Sequence, residues 1–133
     1  MPMVPKMLIV DDEETLQFFF NEMFYDQFII KKAASADEAR NVLKEFKPDI
    51  ILLDIKMGPF SDRGGLELLR ELREAGNKTD VIIVSAIDDP DDIEEAERLG
   101  IRRYLKKPFK PELLREEVYN YLKKIGRMKQ EGG

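Results

Sequence analysis

The chain has 133 residues, 43% of them hydrophobic and 37% charged, with a formal net charge of -5. That length suits one domain with a real core, and the acidic balance argues against a direct nucleic-acid partner, which asks for a basic surface. Neither cysteine nor histidine occurs, which removes disulfides, thiolate chemistry, the usual general base and the usual zinc ligands.

No apolar stretch is long enough to span a bilayer and the N-terminus lacks a signal-peptide pattern, so the expectation is a soluble cytoplasmic protein with no membrane contact. Residues 1–6 read as a frayed start, and the first strand is Met7 to Val10. Asp11-Asp12-Glu13-Glu14 then opens a helix, because carboxylates suit the partial positive charge of unpaired N–H groups there. That helix reaches about Tyr25 and carries Leu16, Phe19, Phe20, Met23 and Phe24 on one face. Phe18 falls off that face and reads as a scattered surface aromatic. Phe28 to Ala33, more polar towards its end, reads as an edge strand.

Ser35 caps the second helix with Glu38 placed for a capping box. Ala39, Val42, Leu43 and Phe46 point inward, and the helix stops before Pro48. The third strand is Ile50 to Asp54, an apolar run ending on a carboxylate, as a strand buried on both faces would be. Residues 56–65, rich in Gly and Pro, form a loop. The third helix follows, with Leu66, Leu69 and Leu72 inward, and ends at Gly76. Val81 to Val84 is the fourth strand, ending on Ser85. Asp88-Asp89-Pro90 starts the fourth helix, which ends around Leu99-Gly100. The fifth strand is about Arg103 to Leu105. Pro111 opens the fifth helix, with Leu113, Leu114, Val118, Tyr121, Leu122 and Ile125 inward, and Gly126 ends it. The domain therefore spans 1–126, and 127–133 form a short solvated tail.

Alternating strands and helices predict an α/β fold with a doubly wound parallel sheet and right-handed crossovers. The least apolar strand belongs at the edge, which favours the flavodoxin-like order 2-1-3-4-5. Ligands of such sheets bind at the carboxyl ends where the order reverses, between the first and third strands. Asp11, Asp12 and Asp54 all fall there. Three carboxylates in one crevice repel each other and persist with a compensating cation or raised pKa values. Oxygen donors without His or Cys point to Mg2+, or Mn2+ in its place. Lys107 reaches the crevice from the fifth strand as a point charge, and Ser85 offers a hydroxyl. Such a set suits phosphoryl transfer, with Asp54 as a nucleophile that becomes an acyl phosphate. Each residue alone has a bland reading (helix cap, turn, solvated loop); their convergence at successive strand ends favours the chemical one.

Leu8-Ile9-Val10-Asp11-Asp12-Glu13, Pro48 to Asp54, Val84-Ser85-Ala86 and Tyr104-Leu105-Lys106-Lys107-Pro108-Phe109 resemble the receiver domain of two-component response regulators over about residues 7–125. The resemblance implies that Asp54 accepts a phosphoryl group from a phosphohistidine on a histidine kinase or histidine phosphotransfer protein. It implies that Asp12, Asp54 and the carbonyl of Lys56 ligate Mg2+, with Asp11 acting through water. It gives Ser85 and Lys107 the phosphoryl oxygens, makes Tyr104 an aromatic switch, and makes the Lys107–Pro108 bond cis. Gly58 to Gly65 is longer than the family's short Pro-x-Met-Asp-Gly run, and Lys56 could overhang the site.

The expected function is a phosphorylation-controlled signalling switch, not an enzyme, acting on an unnamed downstream protein as a monomer or phosphorylation-dependent dimer. The expected signalling face combines the fourth helix, fifth strand and fifth helix. There Arg102, Arg103 and Lys106 lie beside Asp88, Asp89, Asp91 and Asp92, a mixed charge that suits selective docking. The chain ends soon after the fifth helix, so no output domain is expected, unless this is a fragment of a larger regulator or hybrid kinase. A haloacid dehalogenase-type phosphatase would want an Asp where Lys56 stands. A flavin or nucleotide module would want a Gly- or Ser/Thr-rich turn in place of Asp11 to Glu14. A partner-binding module indifferent to phosphorylation would not need the full acidic set with Lys107.

Overall fold

The computed structural model describes residues 4–57 and 63–126. Expectations for residues 1–3 of the frayed start, for residues 58–62 of the long loop and for the tail at 127–133 lie outside the described residues, whereas Pro5 is buried and Lys6 already belongs to the first strand. Five strands alternate with five helices: β1 Lys6–Val10, α1 Glu14–Phe24, β2 Ile29–Ala33, α2 Ala36–Leu43, β3 Ile50–Leu53, α3 Gly64–Glu74, β4 Asp80–Ser85, α4 Pro90–Arg98, β5 Arg103–Lys106 and α5 Pro111–Lys124. All strand pairs are parallel, in the order β2-β1-β3-β4-β5.

Burial explains this order. β1, β3 and β4 are near-continuous apolar runs with both faces covered, as inner parallel strands must be. β2 is mostly exposed and takes an edge. Side chains alternate across the sheet, so the core splits in two. Leu8, Val10, Ile51, Leu53, Val81 and Ile83 pack under α2, α3 and α4. Met7, Ile9, Ile50, Leu52, Ile82 and Val84 pack against Phe20, Phe24 and Leu114 of α1 and α5.

Helix ends follow the local chemistry. The Ser35 hydroxyl accepts from Glu38 N–H at 3.0 Å, but the Glu38 carboxylate reaches Ala34 N–H rather than Ser35 N–H, so the capping box is offset by one residue. Asp89 caps α4 by accepting from Asp91 N–H at 2.9 Å, with Pro90 in the first turn. α2 stops at Leu43 while Phe46, past its end, still enters the core.

Two inward assignments fail. Phe19 is 38% exposed and Ile125 39%, because each sits at the margin of its helix's apolar stripe, where the sheet no longer covers it. Leu68 is buried although it falls off the Leu66-Leu69-Leu72 row, because α3 buries a wide face.

Candidate functional site

The carboxyl ends of β1, β3, β4 and β5 carry the site, and backbone bonding continues past the strands to hold each residue. Asp11 N–H donates to Ala33 O at 3.0 Å and Asp54 N–H to Val10 O at 2.9 Å. Lys107 N–H donates to Ser85 O at 2.8 Å. Three side chains are thus fixed by sheet register rather than by loop conformation. The Lys107–Pro108 bond is cis.

Asp54 is 4% exposed and both of its oxygens are engaged. Oδ1 accepts from Lys56 N–H at 3.0 Å, and Oδ2 accepts from Lys107 Nζ at 2.9 Å. Asp11, 2% exposed, accepts Glu13 N–H on Oδ1 and Lys107 Nζ on Oδ2, both at 2.9 Å. Carboxylate oxygens of Asp11, Asp12 and Asp54 lie within 4.8 Å of one another. That hard, oxygen-only donor set fits Mg2+ or Mn2+.

Burial pushes the carboxyl groups of Asp11 and Asp54 up, against the lowering effect of their hydrogen-bond donors. For Lys107 burial opposes the charge, but the hydrogen bonds it donates to Glu13, Asp54 and Asp11 outweigh it and raise its pKa, so it stays a cation. The crevice therefore concentrates negative charge around one fixed positive charge.

Ser85, fully buried, ends β4, and its hydroxyl lies 3.4 Å from the N–H groups of Lys56 and Ile87. Tyr104 is half-buried on β5, and its hydroxyl donates to the Ile87 carbonyl at 2.6 Å. Burial pushes its pKa up to about 12. The ring therefore already lies turned in against the loop that joins Ser85 to α4.

The structure adds three residues that sequence reasoning did not assign to the site. Glu13 joins Lys107 at 2.7 Å. Gly65 lies so close to β3 that a Cβ there would overlap the Asp54 carbonyl oxygen, and its N–H donates to Ile55 O at 3.0 Å. Arg63, the N-cap of α3, donates to Asp92 at 2.9 Å, and Asp92 is buried. Asp92 was expected on the mixed-charge face with Lys106; it instead turns towards α3, while Lys106 pairs with Asp88 at 3.2 Å. Glu13 was legible as an acid in the crevice sequence, but its reach to Lys107 spans 94 positions and left no local signal.

A doubly wound sheet with an oxygen-donor cluster at its switch point defines a flavodoxin-like (βα)5 domain. The chain belongs to the response regulator receiver domain family, whose model matches residues 7–119. It is 34% identical to the sporulation initiation phosphotransferase F of Bacillus subtilis over 88% of this chain and 93% of that one. It is 31% identical to the chemotaxis protein CheY of Halobacterium salinarum over 84% of this chain and 92% of that one. Among solved structures it is similar to the Francisella response regulator 1452 receiver domain, with TM-score 0.75, 31% identity and coverage of 90% and 98%. Other relatives are longer: the chain spans 55% of a probable C4-dicarboxylate response regulator of Halalkalibacterium halodurans. Receiver domains of this family serve phosphorylation-dependent signalling in two-component systems. Among the described residues, no helix is long and apolar enough to cross a membrane.

Proposed function

We propose that this chain is a switch that takes a phosphoryl group on Asp54 from the phosphohistidine of a histidine kinase or histidine phosphotransfer protein. The observation that carries the reading is Asp54 itself, an enclosed carboxylate bound by Lys107 Nζ and Lys56 N–H beside Asp11 and Asp12. A carboxylate oxygen of Asp54 attacks phosphorus, an O–P bond forms, the P–N bond breaks, and its electron pair returns to the donor imidazole. Lys107 and the Lys56 N–H are placed to neutralise charge on the transferred oxygens, and Ser85 can donate to them. Asp12, Asp54 and the Lys56 carbonyl would hold Mg2+, with Asp11 behind a water; the ion supplies charge neutralisation at the phosphoryl oxygens.

With Mg2+ and acetyl phosphate, the parent chain should gain one phosphoryl group by intact mass and Asp54→Asn none. Equal labelling of the Asn variant would remove Asp54 from the reading.

The signal leaves through α4, β5 and α5. Ser85 moving onto a phosphoryl oxygen favours the inward Tyr104, whose hydroxyl holds the Ile87 carbonyl at the approach to α4. This shifts a population that already contains that arrangement. Beryllofluoride, a stable phosphoryl mimic, should move amide shifts from Asp54 through Tyr104 to α4. In Ser85→Ala, mass labelling at Asp54 should persist while the shifts stop short of Tyr104. Parent spectra changed only around the crevice would refute this route. The downstream partner is a protein, met by a monomer or by a dimer formed on phosphorylation.

A further inference from the structure

Glu13 occupies the N-cap position of α1, yet its side chain makes no capping hydrogen bond. N-cap side chains usually satisfy the open N–H groups of their own helix. This one instead turns into the crevice and accepts from Lys107 Nζ, which reaches there from beyond β5, at 2.7 Å, against 2.9 Å for Asp11 and for Asp54.

A lysine ammonium has three donors. Here Asp11, Glu13 and Asp54 each accept from it. Lys107 therefore has no donor to offer a phosphoryl oxygen unless one carboxylate leaves. Asp54 is the acceptor, and Asp11 is buried and tied by the Glu13 N–H. The Glu13 side chain is 53% exposed, against 2% for Asp11 and 4% for Asp54, so it alone can rehydrate at little cost.

We propose that Glu13 is a positioning residue that holds Lys107 in wait and must be displaced by the incoming phosphoryl group, so that it restrains phosphorylation by small anionic donors. The inference rests on Asp54 being the acceptor. Glu13 acts twice. It occupies the donor that Lys107 must give, and it adds a fourth negative charge at the mouth of a crevice that an anion must enter. Asp11, Asp12 and Asp54 already gather three carboxyl groups in that crevice, with Lys107 bonded to two of them.

Glu13→Gln keeps the shape and removes the charge. With acetyl phosphate and Mg2+ at low salt, it should label at Asp54 roughly threefold to tenfold faster than the parent, the effect of one charge about 6 Å from a dianion in water. The ratio should shrink as salt is raised, because exposed charges are screened within about 10 Å at 0.1 M. The melting temperature should match that of the parent, as a change at a half-exposed residue that caps nothing. A merely structural role would move melting and leave the salt dependence unchanged. Labelling of Glu13→Gln at or below the parent rate, or a gain that salt does not reduce, would overturn the role of Glu13 alone. A parent that takes no phosphoryl group at all would overturn it together with the acceptor reading.

Discussion

Lys107→Met is expected to lower the stability of the metal-free protein by about 2–3 kcal/mol at pH 7, and by much less near pH 4. Lys107 Nζ is the cation between Asp11 and Asp54, which are 2% and 4% exposed. Methionine keeps the aliphatic stem and leaves those acids facing each other. Breaking a fully enclosed ion pair from one side costs roughly 3–5 kcal/mol. The crevice here opens to water beside Asp12 and Glu13, which screens the acids and brings the cost to about 2–3 kcal/mol. The pH dependence follows from the same acids. Their pKa values already lie above the ordinary 3.8, burial first among the causes, and loss of Lys107 raises them further. A folded state that binds protons more tightly than the unfolded chain loses stability as pH rises through the window above 3.8. Below it both states are protonated and the penalty is gone. Lys107 contributes in another range: its raised pKa stabilises the fold below about 10.5 and that contribution is lost at higher pH. Urea unfolding in chelator at the two pH values checks this. An equal loss at both would mean that Lys107 matters through packing. Added Mg2+ should restore part of the loss at pH 7, since the carboxylate cluster that would hold it is assembled in the folded chain alone.

Gly65→Ala is expected to damage fold and site together. A Cβ at Gly65 would overlap the Asp54 carbonyl oxygen and lie 2.7 Å from Ile55 Cα. Both obstacles are backbone, so no side-chain rotation relieves them. Overpacking of this kind costs about 1–3 kcal/mol, and the upper end fits an obstacle that cannot rotate. Relief must come from moving the end of β3 or the start of α3, and the Asp54 carboxylate moves with the former. Misplacement of a reacting group by about 1 Å can cost on the order of a hundredfold in rate. Melting temperature and acetyl phosphate labelling should therefore both fall, while Gly64→Ala, whose nearest contact is Ala36 Cβ at 3.5 Å, should change neither by much. Normal labelling in Gly65→Ala would show that Asp54 does not depend on this contact.

The sheet was legible because it rests on local runs: Met7 to Val10, Ile50 to Leu53 and Val81 to Val84 are apolar at every position and need no partner to be recognised. Asp11, Asp54, Ser85 and Lys107 were legible as a group because parallel strands deliver their ends to one edge. What escaped has no period. Gly65 looked like one more loop glycine, since nothing local records how near β3 comes. Arg63 and Asp92 are 29 positions apart, and the buried face of Asp92 is set by α3, not by its own helix. Phe19 and Ile125 show the converse, where helical spacing promised cover that the sheet does not extend far enough to give.

The arginines on α3 give the fold a mechanical property. Arg63 binds Asp92, Arg70 binds Glu95, and Arg73 donates to the Leu99 and Gly100 carbonyls, so α4 is laced to α3 from its first turn to just past its end. These bonds tie the position of α4 to that of α3. α3 in turn begins against the backbone of Asp54 through Gly65. Under the proposed function, a protein that grips α4 therefore pulls, through α3, on the proposed phosphoryl acceptor. Linkage makes that traffic two-way: whatever factor bound beryllofluoride adds to a partner's affinity, the bound partner returns to the affinity for beryllofluoride.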